Sequence, residues 1–201
     1  MDNLEKIFVN SPLRRLMQKY LEFDAFQRFL EKNNINLSAK TILDAGCGSG
    51  YGLVLLHQAF KPRELYGFDI LPDEVKLARQ RKIPAIINVD SIVHTKFPSG
   101  KFDAIFEFTV LHHVPEWRQA MVEIQRILQP NGVFLASDLN KQLTDFFEKT
   151  TGIRHPKEAQ FQWPEFIQGL QNARFDILEK KLILGKFGLF LCQKKDERTS
   201  N

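Results

Sequence analysis

The 201-residue sequence has few cysteines and no long apolar run. Its two cysteines, Cys47 and Cys192, lie far apart, which excludes both a framework of several disulfides and a CxxC metal motif. No stretch approaches the roughly 18 consecutive apolar residues of a membrane-spanning helix. Residues 1–10 lack the basic start and apolar core of a signal peptide. We therefore expect a cytoplasmic protein with no membrane span.

Charge of one sign is not in large excess either. The formal net charge is +4, and the lysines and arginines are scattered along the chain, which is weak evidence for a nucleic-acid partner. With 43% apolar and 26% charged residues, a chain of this length is in the globular range and can bury one core. The sequence predicts a single domain in residues 1–195 and a flexible tail in residues 196–201, and it leaves the oligomeric state open.

The apolar pattern alternates between strands and helices. We predict strands over 41–45, 64–70, 85–90, 102–109 and 132–139, helices over 50–60, 72–81, 115–129 and 164–173, and a terminal pair of strands within 173–195. Because parallel strands need long crossovers, this order favours an α/β fold: a doubly wound, mostly parallel, seven-stranded sheet with helices on both faces. The last two strands, turning near Gly185 and Lys186, would add an antiparallel hairpin.

Two segments lie outside this alternation. Residues 4–32 predict two amphipathic helices with a break near Ser11 and Pro12, and residues 139–163 are less regular but rich in aromatic side chains, namely Phe146, Phe147, Phe161 and Trp163. We interpret both as a mobile cover over an apolar pocket, although such aromatics are also typical of a core. The domain then divides into a helical cap (1–35), a ligand-binding core (36–139), and a lid-like segment with the terminal hairpin (140–195).

The stretch TILDAGCGSGYG, residues 41–52, has a glycine at every second position from Gly46 to Gly52. Glycine permits positive φ and close approach of a ligand, and the helix that follows presents unpaired N–H groups. In a doubly wound sheet, this first loop lies where ligands bind. The dinucleotide pattern GxGxxG/A fails because its last position falls on Tyr51 or Leu53, and the P-loop fails because no Gly-Lys-Ser/Thr follows. A purely structural turn would need fewer glycines.

The acid followed by alternating glycines, Asp44-Ala45-Gly46-Cys47-Gly48-Ser49-Gly50, resembles the first motif of class I S-adenosylmethionine-dependent methyltransferases. In that family an acid at the end of the second strand binds the ribose hydroxyls, and Asp69 stands there. Residues 102–139 resemble the fourth and fifth strands of the small-molecule branch, of the methyltransferase type 11 kind. The resemblance implies a Rossmann-like fold and S-adenosylmethionine as cofactor, with S-adenosylhomocysteine as product.

The resemblance also implies which residues contact the cofactor. Asp90 and Ser91 stand where the family's third strand meets the adenine, although Asp-Ser after a strand is also an ordinary turn. Asp69 has a second interpretation as the N-cap of the helix that begins near Pro72. The residues implied as cofactor-binding are Asp44, Gly46, Cys47, Gly48, Gly50, Asp69, Ile70, Asp90, Ser91, Ile92, Glu107 and Phe108.

The segment after the fourth strand lines the acceptor pocket in this family. It contains His112 and His113, which are candidate general bases because imidazole titrates near neutral pH, although loop histidines are often structural. Two adjacent histidines with no further Cys or His nearby do not make a zinc site, so we expect no metal.

Nucleic acid is not the expected substrate. Enzymes that methylate exocyclic base amines carry Asn/Asp-Pro-Pro-Tyr/Phe at the end of strand four, whereas this chain has Glu107-Phe108-Thr109-Val110. Methylation of cytosine at C5 needs a nucleophilic cysteine in the acceptor region, and neither cysteine lies there. The sequence therefore predicts an enzyme that methylates a small-molecule acceptor by direct in-line transfer. Two alternatives stay open: a non-catalytic cofactor-binding or partner-binding module, and an RNA or protein methyltransferase.

Overall fold

The structure, a computed structural model, describes residues 10–195. Its strands are β1 (Thr41–Ala45), β2 (Glu64–Asp69), β3 (Ile86–Val89), β4 (Phe102–Phe108), β5 (Leu128–Leu139), β6 (Phe175–Ile183) and β7 (Phe187–Lys194). They form one sheet in the order β3-β2-β1-β4-β5-β7-β6. This confirms the predicted fold class. The predicted tail, residues 196–201, and residues 4–9 of the predicted first helix lie outside the described residues.

The strand order reverses beside β1. The chain moves from β1 to β2 and β3 on one side, and it then returns to place β4 and β5 on the other side, with all of these neighbours parallel. Strand β7 runs antiparallel to both β5 and β6. Ligands bind at such a reversal, outside the carboxyl ends of the strands. The fold therefore places the glycine stretch, which follows β1, at the expected binding edge.

Helices cover both faces of the sheet. Their bounds are α1 (Pro12–Met17), a π-helical turn (Gln18–Phe23), α2 (Asp24–Lys32), α3 (Tyr51–Phe60), α4 (Pro72–Gln80), α5 (Trp117–Ile127), α6 (Lys141–Thr151) and α7 (Trp163–Asn172). One core cluster contains residues of α5 and α7, and a second contains residues of α2, α3 and α4. None of these helices is both long enough and apolar enough to cross a membrane.

The N-terminal segment is continuously helical from α1 through α2. The Ser11 hydroxyl caps it by accepting a hydrogen bond from Arg14 N at 3.1 Å, and Pro12 occupies the first helical turn, where a missing N–H costs nothing. Phe23 and Phe26 are buried against the sheet. The predicted break near Ser11 is thus the start of the described helix, and the proposed mobility of this segment stays a prediction.

Residues 139–163 contain a helix that the sequence pattern did not indicate. In α6 the only buried residue is Thr144, and the apolar residues Leu143, Phe146 and Phe147 are half-buried or exposed. Asn140 caps the helix by accepting from Leu143 N at 3.2 Å, and it ends at Gly152 with φ +78°. The interpretation of Phe161 and Trp163 as a pocket roof is wrong, because both are packed in the core.

Candidate functional site

A cavity of about 690 Å³ opens at the carboxyl ends of β1, β2 and β4. This volume is in the range typical of small-molecule sites. One end is bounded by the glycine loop and Asp69, and the other by His112, His113 and His155. Its apolar wall includes Phe68, Ile92, Val93, Phe108, Val110, Leu139, Phe147 and Ile153. The cavity therefore joins the predicted cofactor region to the predicted acceptor region.

The glycine loop adopts a backbone that favours glycine. Gly46, Gly48 and Gly50 have φ values of +75°, +50° and +80°. A Cβ at Gly46 would lie 2.6 Å from Val110 Cγ2, whereas a Cβ at Gly48 would meet only Glu74 Oε2, at 3.9 Å. Gly46 is thus required for packing, and Gly48 keeps space clear inside the cavity.

Asp69 links the loop to the start of α4. Its Oδ2 accepts a hydrogen bond from Gly48 N at 2.9 Å, and its Oδ1 accepts one from Leu71 N at 2.9 Å. Burial raises the pKa of this carboxyl, and the backbone donors act in the opposite direction. The interpretation of Asp69 as the N-cap of α4 is wrong, because Leu71 occupies that position. Asp69 instead holds the backbone on both sides while it also lines the cavity.

Asp44 is a buried acid with no partner. It is 1% exposed, and neither carboxylate oxygen has a hydrogen-bond partner among the described residues. Burial, followed by repulsion from Asp69, raises its pKa to about 8. Gly52 leaves room for this side chain, because a Cβ there would collide with Asp44 Oδ2. An unpaired carboxyl beneath a glycine loop is complementary to a cationic ligand, so these residues fit S-adenosylmethionine.

We expect Asp44 to make the ligand-free protein less stable as pH rises. The folded state retains a proton that the unfolded chain, with its ordinary pKa of 3.8, releases, so stability falls between about pH 4 and the folded-state pKa of about 8. In urea unfolding, Asp44→Asn should reduce the loss of stability between about pH 5 and about pH 8, relative to the wild type, by on the order of 1–3 kcal/mol. The control is Asp176→Asn, at an exposed acid. Equal pH dependence in both variants would contradict this assignment.

A polar network ties the N-terminal helix to the sheet edge. Glu22, which is 1% exposed, pairs with Arg14 at 2.5 Å and accepts from Ser137 Oγ at 2.7 Å and from Thr109 Oγ1 at 3.1 Å. Arg14 also donates to Phe108 O at 3.2 Å and lines the cavity. Neither Arg14 nor Glu22 was predicted from the sequence to be a site residue. The only signal was a charged residue between the apolar Leu21 and Phe23.

Three histidines lie together at the end of the cavity where the acceptor is predicted to bind. The ring centroids of His112 and His113 are 3.9 Å apart, and that of His155 is 5.2 Å from the first and 5.1 Å from the second. Asp138 holds His112: its Oδ1 lies 2.6 Å from Nδ1, and its Oδ2 accepts from the His112 backbone N at 3.1 Å. Burial lowers the pKa of all three imidazoles. His155 is therefore a third histidine beside the pair, whereas the sequence pattern indicated none nearby.

The cavity wall contains most of the residues predicted from the sequence. His112 and His113 both line it. Of the residues predicted to bind the cofactor, those on the wall are Gly46, Gly48, Asp69, Ile70, Asp90, Ser91, Ile92 and Phe108.

Four predicted cofactor residues do not line the cavity. Asp44 lies beneath the loop, and Cys47 belongs to the core cluster that contains α3. Gly50 allows α4 to approach, because a Cβ there would be 2.9 Å from Ala78 Cβ. Glu107 is fully buried and accepts a hydrogen bond from Val110 N. These four residues therefore support the glycine loop or the cavity floor and do not line the cavity themselves.

Comparison with known sequences relates this chain to methyltransferases. Residues 43–136 match the family model described as a methyltransferase domain. A probable S-adenosylmethionine-dependent methyltransferase of Mycolicibacterium smegmatis is 33% identical over 142 residues, which are 70% of this chain and 53% of that protein. A fatty-acid O-methyltransferase of the same species is 30% identical over 105 residues, 51% of this chain and 38% of its own length. The chain thus spans about half the length, or less, of these curated relatives.

Comparison with solved structures supports the same fold. An S-adenosylmethionine dependent methyltransferase from Mesorhizobium loti superimposes with a TM-score of 0.72, covering 85% of this chain and 96% of that one. The two share 14% sequence identity. At this level the likeness concerns the fold alone.

Proposed function

Because this chain belongs to the class I S-adenosylmethionine-dependent methyltransferases, we propose that it transfers a methyl group from S-adenosylmethionine to a small-molecule acceptor. The observation that carries the proposal is the single cavity that runs from the glycine loop to the histidine cluster. The apolar lining and limited volume favour a small acceptor over a nucleic acid or a protein segment.

The cofactor end has a partner for each part of the proposed ligand. Asp69 would accept hydrogen bonds from the ribose hydroxyls, and the backbone at Gly46 and Gly48 would hold the methionine portion, with the Asp44 carboxyl beneath it. Ile70, Asp90, Ser91 and Ile92 form the wall proposed to hold the adenine. Arg14, which also lines the cavity, would attract the carboxylate of the methionine portion.

The acceptor end of the cavity would position the nucleophilic atom of the acceptor next to the methyl group and exclude water. When bound, S-adenosylmethionine supplies a methyl group on a positively charged sulfur, so no covalent enzyme intermediate is needed. The chain's contribution is to align the acceptor and shield it, and positioning of this kind is a major source of rate. His112 and His113 could also take a proton from an acceptor hydroxyl, a role typically worth about 10² to 10⁴ in rate.

The proposed activity is tested by incubating the protein and labelled S-adenosylmethionine with pools of small metabolites, including fatty acids, and measuring transfer of label. We expect label in a small organic product and equimolar S-adenosylhomocysteine. Binding of S-adenosylhomocysteine without turnover on any pool would instead support a non-catalytic binding module. Label that appears only in added RNA or protein would overturn the small-molecule assignment.

We expect Asp69→Ala to bind S-adenosylhomocysteine about tenfold more weakly, which corresponds to about 1.4 kcal/mol. The variant loses the proposed ribose contact and also releases Gly48 N from its bond. Calorimetry measures the change, with NAD and ATP as ligands that should bind far more weakly to the wild type. Asp176→Ala, at an exposed site, is the control. Unchanged affinity in Asp69→Ala would refute the ribose assignment.

We also propose a cytoplasmic location. Cys47 and Cys192 are both free and buried, and this supports a reducing compartment because no disulfide links the described residues. Fractionation of the native host, followed by detection of the protein, tests this proposal. Recovery in the membrane or secreted fraction would contradict it.

A further inference from the structure

The histidine cluster has the composition of a metal site. Its three imidazoles come from two separate segments, the turn that follows β4 and the loop that follows α6, and one ligand nitrogen of each lies within 4.8 Å of the others. In a tetrahedral zinc site with Zn–N bonds of about 2.0–2.1 Å, neighbouring nitrogens lie roughly 3.3 Å apart. The nitrogens must therefore approach one another on metal binding, chiefly by rotation of His155, because Asp138 holds His112.

The surroundings of His112 and His155 leave ligand nitrogens available. The Asp138 carboxyl faces Nδ1 of His112. Burial raises the pKa of Asp138 to about 8, and in its ionised form this carboxylate accepts from Nδ1–H and leaves the His112 lone pair on Nε2. A carboxylate behind an imidazole is the usual second contact of a metal-bound histidine. His155 is 8% exposed, and its buried Nδ1 has no hydrogen-bond partner among the described residues. A buried nitrogen of this kind needs a partner.

We infer that His112, His113 and His155 form a binding site for a divalent transition metal at the acceptor end of the cavity. Three imidazoles select zinc and its neighbours over magnesium and calcium, which prefer oxygen ligands. Three protein ligands also leave one coordination position open, and all three histidines line the cavity. Metal binding excludes the role of His112 as a general base, because the Nε2 lone pair cannot serve both purposes.

The open position assigns a class of acceptor. It takes an oxygen donor, such as a carboxylate, enol or hydroxyl group, and would hold that oxygen in the cavity shared with the cofactor region. This step rests on the proposed methyl transfer, whereas metal binding itself does not. Metal binding is therefore measured in the absence of S-adenosylmethionine, so that its failure is distinguishable from failure of the proposed activity.

The test uses the untagged, metal-free protein and follows Zn²⁺ binding by calorimetry and Co²⁺ binding by visible absorption. We expect one equivalent of metal, a Co²⁺ spectrum typical of low coordination number, and no displacement by excess Mg²⁺. Asp138→Asn should weaken Zn²⁺ binding by about 10- to 100-fold, as is usual for the loss of a contact to a bound histidine. His155→Ala and His113→Ala should weaken it further.

His94→Ala is the matched control, because His94 is exposed and outside the cavity. It should bind Zn²⁺ as tightly as the wild type does. Thermal unfolding without metal establishes that each variant is folded, and His155→Gln replaces His155→Ala if the latter is not. The inference is overturned if the wild type binds less than one equivalent of Zn²⁺, or if the folded His155 and His113 variants match His94→Ala.

Discussion

Gly48→Val should bind S-adenosylhomocysteine at least about 100-fold more weakly than the wild type, a loss of about 2.7 kcal/mol. A side chain at this position would meet only Glu74 Oε2, at 3.9 Å, so it can be accommodated by the protein and would extend into the cavity. The backbone at φ +50° adds a strain of about 1–2 kcal/mol for a residue with a Cβ. The variant is thus expected to fold with reduced stability but to exclude the cofactor. Calorimetry and thermal unfolding measure the two effects separately.

The control for this experiment is Gly100→Val. Gly100 has φ +68° in the turn before β4, and a Cβ there would meet nothing within 4 Å. It therefore carries a similar backbone strain away from the cavity. Its affinity for S-adenosylhomocysteine should match that of the wild type. If Gly48→Val retained affinity within about threefold of this control, a difference of about 0.7 kcal/mol, the cofactor would not lie over Gly48.

Glu22→Ala should lower the free energy of unfolding by about 2–4 kcal/mol. The substitution leaves Arg14, whose side chain is 12% exposed, without its ionic partner, and it removes an acceptor from Ser137 and Thr109. Loss of one member of a buried pair is costly because the remaining charge stays desolvated. Urea unfolding of both proteins measures the difference.

The matched control is Glu31→Ala, an exposed glutamate on α2, which should change stability by less than about 0.5 kcal/mol. A double-mutant cycle with Ser137→Ala gives the energy of the contact itself, expected at about 0.5–3 kcal/mol. Equal unfolding free energies for the Glu22 and Glu31 variants would show that the network does not stabilise the fold.

The sheet and the glycine-loop end of the cavity could be predicted because their signals are local. Strand and helix periodicity sets the order of elements, and the glycines from Gly46 to Gly50 are adjacent in sequence. The position of Asp69 follows because the ends of parallel neighbouring strands meet at the same sheet edge. Even here the side chain of Cys47 faces the core, since a pattern of residue types does not specify which way each side chain points.

The histidine cluster and the Glu22 network could not be predicted, because they depend on contacts between distant parts of the chain. His155 reaches the histidine pair from a loop after α6, a helix that was not predicted from the sequence. Glu22 meets Ser137 at a separation of 115 residues. Neither contact has a local pattern that predicts it. The sequence therefore predicts more of the cavity wall at the glycine loop than at the histidine cluster.

The strand pairing of β5 also limits how the domain can be divided. The match to the family model ends at residue 136, within β5, although β5 pairs with β7 from Val133 to Leu139. A fragment cut at that boundary would expose an apolar edge containing the fully buried Phe134 and Leu135, and unprotected edges of this kind promote self-association. The segment that matches the family model is therefore not a complete folding unit, and a stable fragment must include the terminal hairpin.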